Sequence, residues 1–251
     1  MKKIITIMTV VGCISLTLQA ADFYEVPLTS THIYVQGAQF SKIDAKGMHF
    51  HRFDDNIYTN SFETVQVKGL RARTTSGVTL TFYTRSGKAN LTFKYITGDF
   101  KRRTPYFSIY QNGKFIRDQI SRGAAPVIRL ISQGAPDELV RYDVILPNWS
   151  NPVLSRFELP TGAVLEAENS LPSKTAVFLG DSISHGTGQE STFQTYPFQA
   201  TEALGVQLFN LAVGGGRISP AIANDLQYFD PVDVIWILVG YNNWQSGKES
   251  V

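Results

Sequence analysis

Thr175-Ala176-Val177-Phe178-Leu179-Gly180-Asp181-Ser182-Ile183-Ser184-His185-Gly186 is the stretch on which the reading of this chain turns. An apolar run rich in β-formers stops at a glycine and delivers Asp-Ser into a short polar turn. In a parallel α/β sheet this sets a serine hydroxyl at the carboxyl end of a strand, where the ligand crevices of such sheets form. A serine there acts as a nucleophile only if a base removes its proton and hydrogen-bond donors receive the oxyanion.

From Lys174 onward the pattern is βαβαβ. A helix is expected to begin near Pro197 and to stop at Gly205, with Pro197, Ala200, Thr201 and Leu204 along one face. Val206 to Leu211 reads as the next strand. Ser219-Pro220 reads as an N-cap followed by proline at the first helical position, with Ile222, Leu226 and Phe229 lining one side. Val232 to Val239 is almost unbroken apolar sequence, as expected of a parallel strand buried on both faces. Each strand ends in polar or glycine-rich residues expected to meet at one edge: Gly180-Asp181-Ser182, then Asn210 to Gly216, then Gly240-Tyr241-Asn242-Asn243. Glycine at the end of one buried strand often serves packing alone. Three such ends in order favour chemistry: a hydroxyl, a backbone N–H freed by glycine, and a side-chain amide as a second donor.

Gly180-Asp181-Ser182-Ile183-Ser184 resembles the first block of the GDSL/SGNH hydrolases. The family's second block sets its glycine five residues after a strand-end asparagine, which from Asn210 falls on Gly215. Its Gly-x-Asn-Asp third block is similar to Gly240-Tyr241-Asn242-Asn243, with Asn243 departing from the usual aspartate. The resemblance covers about Lys174 to Trp244. It implies Ser182 as the nucleophile, with an oxyanion hole formed by its own N–H, the N–H of Gly215 and the side-chain amide of Asn242. The fold it implies is α/β: an N-terminal β-sandwich followed by a partial SGNH-type three-layer α/β domain with a parallel sheet. The β-rich first half is loosely similar to that of two-domain members, including carbohydrate esterases that remove acetyl groups.

The family's last block, Asp-x-x-His, supplies the base and its orienting carboxylate, and nothing here matches it. The histidines are His32, His49, His51 and His185, none within such a block. His185 lies three residues after Ser182 but inside the first block, and Asp181 reads as a turn and capping residue. Residues 174–251 are also fewer than the roughly 100–200 of a typical domain. The expectation is an incomplete copy of a longer esterase, inactive by itself, with apolar surface around Val234 to Val239 left uncovered.

From Phe23 to about Leu159 no long amphipathic helix is expected. Ser61 to Val67 alternates weakly; Val78 to Phe82 and Leu91 to Tyr95 alternate clearly. Phe107 to Tyr110 runs into Gln111-Asn112-Gly113-Lys114, and Asn-Gly is a strong hairpin signal. Val140 to Leu146 and Leu154 to Leu159 complete a set expected to form a jelly-roll-like β-sandwich. The expected organisation is a signal peptide at 1–20, the sandwich at 21–160, a linker at 161–173 and the hydrolase part at 174–251. Tyr106, Tyr110 and Trp149 are available to bind glycan or to fill the core. His49-Phe50-His51 puts two imidazoles on one strand face, either as a metal pair without a marked third ligand or as a solvated face.

The chain has 251 residues, 43% hydrophobic and 18% charged, with a formal charge of +2, which fits a folded protein without a nucleic-acid-binding patch. Lys2 and Lys3 followed by Ile4 to Leu18 read as an export signal cut after Ala20, and the run is too short and threonine-rich for a membrane span. A bacterial lipoprotein box ending at Cys13 is the rival, although the run stays apolar beyond it. Export would leave a periplasmic or extracellular chain without cysteine. No metal or organic cofactor is implied. The expected activity is that of an exported serine esterase cleaving carboxylic, foremost acetyl, esters on carbohydrate or another small ester. The alternative is a glycan-binding protein with a catalytically inactive hydrolase remnant.

Overall fold

The computed structural model describes residues 22–95, 103–120, 123–135, 137–167 and 171–247. The expected signal peptide with Cys13, and parts of the expected linker, lie outside these residues. The described chain opens with β1 (Phe23–Glu25), β2 (Tyr34–Gln36), β3 (Phe40–Asp44) and β4 (Gly47–His51). Three short helices follow: α1 (Asp55–Thr59), α2 (Phe62–Val65) and α3 (Gly69–Ala72). Next come β5 (Thr79–Thr84), β6 (Lys88–Tyr95), β7 (Tyr106–Gln111), β8 (Lys114–Ile120), β9 (Val127–Ile131), β10 (Val140–Ile145), β11 (Pro152–Pro160) and β12 (Leu165–Glu166). The remainder is β13 (Thr175–Gly180), α4 (Ser182–His185), α5 (Tyr196–Leu204), β14 (Gln207–Asn210), α6 (Pro220–Asn224), β15 (Val234–Leu238) and α7 (Tyr241–Gln245).

The architecture is mixed α/β, mostly antiparallel, with one three-stranded parallel sheet. One antiparallel sheet runs β3-β4-β11-β6-β9, with β1 beside β11. The other runs β12-β5-β10-β7-β8, with β2 beside β5. Side chains from both converge on one core that includes Phe50, Phe82, Leu91, Phe93, Phe107, Tyr142 and Phe157. Asn112 and Gly113 both take positive φ between β7 and β8, the two-residue turn that suits the twist of a hairpin. Every residue of β5 is buried, threonines included, so its alternation separates two covered faces rather than core from solvent.

Ser61 to Val67 is not a strand. Phe62–Val65 is helical and Gln66 closes the turn in the left-handed region. Immediately before it, the Asp54 side chain caps α1 by accepting from Asn56 N–H at 3.0 Å. The valines that suggested alternation, Val65 and Val67, join Phe53, Ile57 and Ala72 in a core shared with Val177, Phe209, Leu211 and Val213 of the parallel region. A piece of the first half thus covers one side of the parallel sheet.

That sheet has the order β14-β13-β15. Proline in the first turn and Gly205 in the left-handed region bound α5, and the Ser219 hydroxyl accepts from Ile222 N–H at the start of α6. On α5, Leu204 is exposed and Phe198 is buried in its stead, turning the apolar face by part of a turn. For the last strand the expectation of burial on both faces fails, while the expectation of uncovered apolar surface around Val234 to Val239 is met. Of the described strands β15 pairs with β13 alone, and Ile235 to Val239 are between 37% and 62% exposed. Its apolar composition therefore marks an edge strand with uncovered faces rather than a strand enclosed on both sides.

Arg52, immediately after β4, is completely buried. Its Nε donates to Thr74 O at 2.7 Å, Nη1 donates to Asn210 O and to Ala212 O (2.9 Å), and Nη2 donates to Ala72 O at 3.2 Å. One guanidinium thereby ties the end of α3 to the exit of β14. Burial lowers its pKa to about 10, which leaves it cationic at neutral pH. Truncation would strand several buried carbonyls at roughly 1–3 kcal/mol each. Arg52→Met should therefore cost about 3–5 kcal/mol in urea unfolding, and Arg52→Lys, without the fork, most of that. A loss below about 1 kcal/mol for both would show that Arg52 does not clamp the two segments.

Candidate active site

Ser182 is the first residue of α4, directly beyond β13. Asp181, buried at the cap, accepts from Ile183 N–H at 3.0 Å and so turns the chain sharply off the strand. Gly180 is required by close approach, because a Cβ there would collide with the Ser184 side chain. Ser182 is half-buried. Among the described residues neither its hydroxyl nor its N–H has a hydrogen-bond partner in the protein.

The exit of β14 is stitched to this turn. Asn210 is buried; its Nδ2 donates to Ser184 O at 2.8 Å and to Ser76 Oγ at 3.0 Å, while its Oδ1 accepts from Ala212 N–H at 3.1 Å. Val213 N–H donates to Gly180 O at 3.1 Å, so β14's extension still tracks β13. Val213 to Gly216 then form a turn closed by Gly216 N–H to Val213 O at 2.8 Å, with φ +72° at Gly215. The Gly215 N–H has no acceptor among the described residues.

Asn242 follows Gly240, whose φ of +111° turns the chain from β15 into α7. Its Nδ2 donates one hydrogen to Gly216 O at 2.8 Å, which leaves the second hydrogen of the amide to a ligand or solvent. Asn243, where the resembling family has aspartate, is buried, and its Oδ1 accepts from Ile218 N–H at 2.9 Å. The three strand ends are thus bonded to one another: the first to the second through Asn210, the second to the third through Asn242 and Asn243.

His185 is part of the scaffold. Its Nδ1 accepts from Gly214 N–H at 2.8 Å, which leaves Nε2 as the protonated nitrogen, 2.7 Å from both Asn148 O and Thr74 Oγ1. The ring lies flat on the Trp149 indole, centroids 4.1 Å apart and 3° between planes. Burial first, then the nearby Arg52 cation, push its pKa well below the ordinary histidine value. With both nitrogens committed it is not a base for Ser182. His49 and His51 on β4 face Asp44 (3.0 Å) and Asp55 (3.8 Å).

Trp149 is core rather than a glycan platform. It is 5% exposed, its other ring contacts include the Arg103 guanidinium at 4.0 Å, and its indole would collide with any Cβ on Gly214. Tyr110 packs against Phe115 and Phe193. Sequence reading missed Arg52, Thr74, Arg71 and the part played by Trp149. No local motif marks them, since each acts on a partner far along the chain.

No protein-family model and no curated protein matches the chain. Solved structures do resemble it. A salicylyl-acyltransferase, SsfX3, from a tetracycline biosynthetic pathway aligns at TM-score 0.77 and 23% identity over 90% of this chain and 66% of its own. A GDSL-like lipase described as putative, from Bacteroides ovatus, aligns at 0.68 and 17%, over 88% and 65%. An acetyl xylan esterase, Est2A, from the rumen bacterium Butyrivibrio proteoclasticus aligns at 0.62 and 13%, over 92% and 67%. The chain has the fold of the GDSL/SGNH hydrolases and spans about two thirds of the length of these structures.

The state of His185 gives a pH test. An unfolded histidine titrates near pH 6.5, whereas His185 stays neutral in the folded chain. Stability is therefore full above about pH 6.5 and falls as the pH drops below it, because only the unfolded state takes up the proton. His185→Asn keeps an acceptor for Gly214 N–H and removes the titration. Urea unfolding between pH 8 and pH 5 should show a fall shallower by up to one proton, about 1.4 kcal/mol per pH unit. His51, lowered to about 4 by burial, contributes equally to both proteins. Identical slopes would mean that His185 titrates normally in the fold.

Proposed function

We propose that this chain carries the nucleophile and the oxyanion donors of a serine esterase of the GDSL/SGNH type, acting on carboxylic esters and foremost on acetyl groups of carbohydrate. One observation carries the reading. Ser182 N–H, Gly215 N–H and the second hydrogen of Asn242 Nδ2 are all without a protein acceptor among the described residues, on three strand ends bonded to each other. In this reading Ser182 attacks the ester carbonyl and the three donors stabilise the oxyanion. The alcohol leaves, and water releases the acyl group from Ser182. Ser182 then needs a general base, which an Asp-x-x-His segment like that of the resembling family would supply, and sequencing past the Val251 codon tests for one.

The likeness to an acetyl xylan esterase supports acetylated carbohydrate as the substrate class. The likeness to a salicylyl-acyltransferase supports a variant in which an acceptor alcohol replaces water. We read residues 21–160 as a jelly-roll-like β-sandwich that frames the substrate, 161–173 as its linker, and 174–251 as the hydrolase part. Residues 1–20 direct export to the periplasm or beyond. Among the described residues no helix is long and apolar enough to cross a membrane.

A second reading has the β-sheets hold glycan while the hydrolase part does no chemistry. The commitment of both His185 nitrogens favours it. Glycan binding without hydrolysis of activated acetyl esters, by this chain and by one extended through an Asp-x-x-His segment, would decide for it. In an extended, active protein Ser182→Ala should abolish ester cleavage while leaving the unfolding midpoint in place. Asn242→Ala should lower kcat by about a hundredfold or more. Turnover retained by Ser182→Ala refutes the nucleophile.

A further inference from the structure

The central peptide of the Val213–Gly216 turn is held by a residue from the other half of the chain. Arg71, in α3, donates from Nη1 to Gly214 O at 3.0 Å. The same Nη1 lies 3.1 Å from where a Cβ on Gly215 would stand. The Gly214 carbonyl and the Gly215 N–H belong to one planar trans peptide and point in opposite directions. Positive φ at Gly215 but not at Gly214 is the type II arrangement, and a half-turn of this one peptide separates type II from type I. With glycine on both sides, sterics offer little resistance to that rotation. The preceding peptide is fixed by His185, and the Gly216 carbonyl by Asn242. The Gly214–Gly215 peptide is fixed by Arg71.

We propose that Arg71 is a positioning residue for the oxyanion site. Its guanidinium locks the Gly214–Gly215 peptide so that the Gly215 N–H faces away from the cation and toward the developing oxyanion. The charge-assisted hydrogen bond to the carbonyl also polarises the peptide and makes that N–H a stronger donor. Arg71 is itself held, since its carbonyl accepts from Thr74 Oγ1 at 2.8 Å and the next carbonyl, Ala72 O, from Arg52. The use of the lock rests on the esterase reading; the lock itself does not.

The test has two arms on the 251-residue protein. In the first, glycine-labelled protein is compared by NMR as wild type, Arg71→Met and Arg71→Lys. The Gly214 carbonyl carbon and the Gly215 amide should shift or broaden more than any glycine outside the loop, with Gly205 unmoved. Lysine should give a smaller change than methionine, and added guanidinium should reverse part of the methionine effect. An unchanged Gly215 in a folded Arg71→Met protein overturns the lock. So does unfolding of both variants, which would make Arg71 a folding residue. The second arm measures p-nitrophenyl acetate hydrolysis by the same proteins and by ones extended through an Asp-x-x-His segment. In hydrolysing protein Arg71→Met should lower kcat about 10–100-fold with KM within about twofold. Raised KM at constant kcat would overturn positioning. Absence of hydrolysis by every wild-type protein would count against the esterase reading, and the spectra alone would then judge the lock.

Discussion

A buried guanidinium bonded to main-chain carbonyls is the constraint on which the rest of this structure depends. Taking a cation out of water costs several kcal/mol even after relaxation, and the hydrogen-bond partners of Arg52 among the described residues are carbonyl and hydroxyl oxygens rather than carboxylates. The arrangement is tenable because its acceptors would otherwise be orphans. Ala72 and Thr74 lie at the end of α3, where helical carbonyls have run out of N–H partners and carry the negative end of the helix dipole. Asn210 and Ala212 lie where β14 leaves its sheet. A single planar fork satisfies both sets and fixes the distance between them, which no apolar side chain of similar volume would do.

Around that clamp the site is built in dependent layers. Arg52 sets α3 against the β14 exit, α3 presents Arg71 to the glycine turn, and Thr74 reaches His185. His185 in turn accepts from Gly214 and stacks on Trp149, whose indole occupies the space that any side chain at Gly214 would need. The turn therefore owes its shape less to its own sequence than to what surrounds it. Three successive glycines allow many conformations, and their neighbours select one. The imidazole serves this role as a neutral ring, acceptor on one nitrogen and donor on the other; a protonated ring would present a second N–H to Gly214 N–H and break the contact.

What the sequence disclosed and what it concealed divide along sequence distance. The α5 and α6 caps, the Asn112-Gly113 turn, the Asp181 cap and the ends of β13 and β14 rest on neighbours within a few residues, so local residue chemistry was enough to find them. Ser182, Gly215 and Asn242 were found as strand-end residues, and the structure brings their strand ends together. Ser61 to Val67 misled because Val65 and Val67 do face a core two residues apart, but they do so from a helical turn and the segment after it, against the distant β14. Val232 to Val239 was half legible. Its apolar composition reports what a strand is suited to, burial on both faces, whereas the small number of strands beyond Lys174 already left its apolar surface uncovered, as the structure has it. Arg52 and Arg71 left no trace at all, since the acceptors that join them to the second half, Asn210 O and Gly214 O, lie 158 and 143 residues away.

The same distances bear on how the two halves work. The core between the two antiparallel sheets closes within the first half, but a wholly independent module would bury its other apolar residues within that half as well. Instead Phe53, Ile57, Val65, Val67 and Ala72 are buried against Val177, Phe209 and Val213, and removing the second half would expose them together with a cation that had lost two of its carbonyl partners. In the other direction, a second half without residues 52–74 would keep Ser182 and Asn242 but lose the Arg71 hydrogen bond to Gly214 O, between Gly214 and Gly215. Oxyanion stabilisation, the role proposed for Ser182, Gly215 and Asn242, demands donors fixed before charge develops. In this chain the rigidity is supplied across the halves, so the first half is part of the site's geometry whatever it binds on its outer faces.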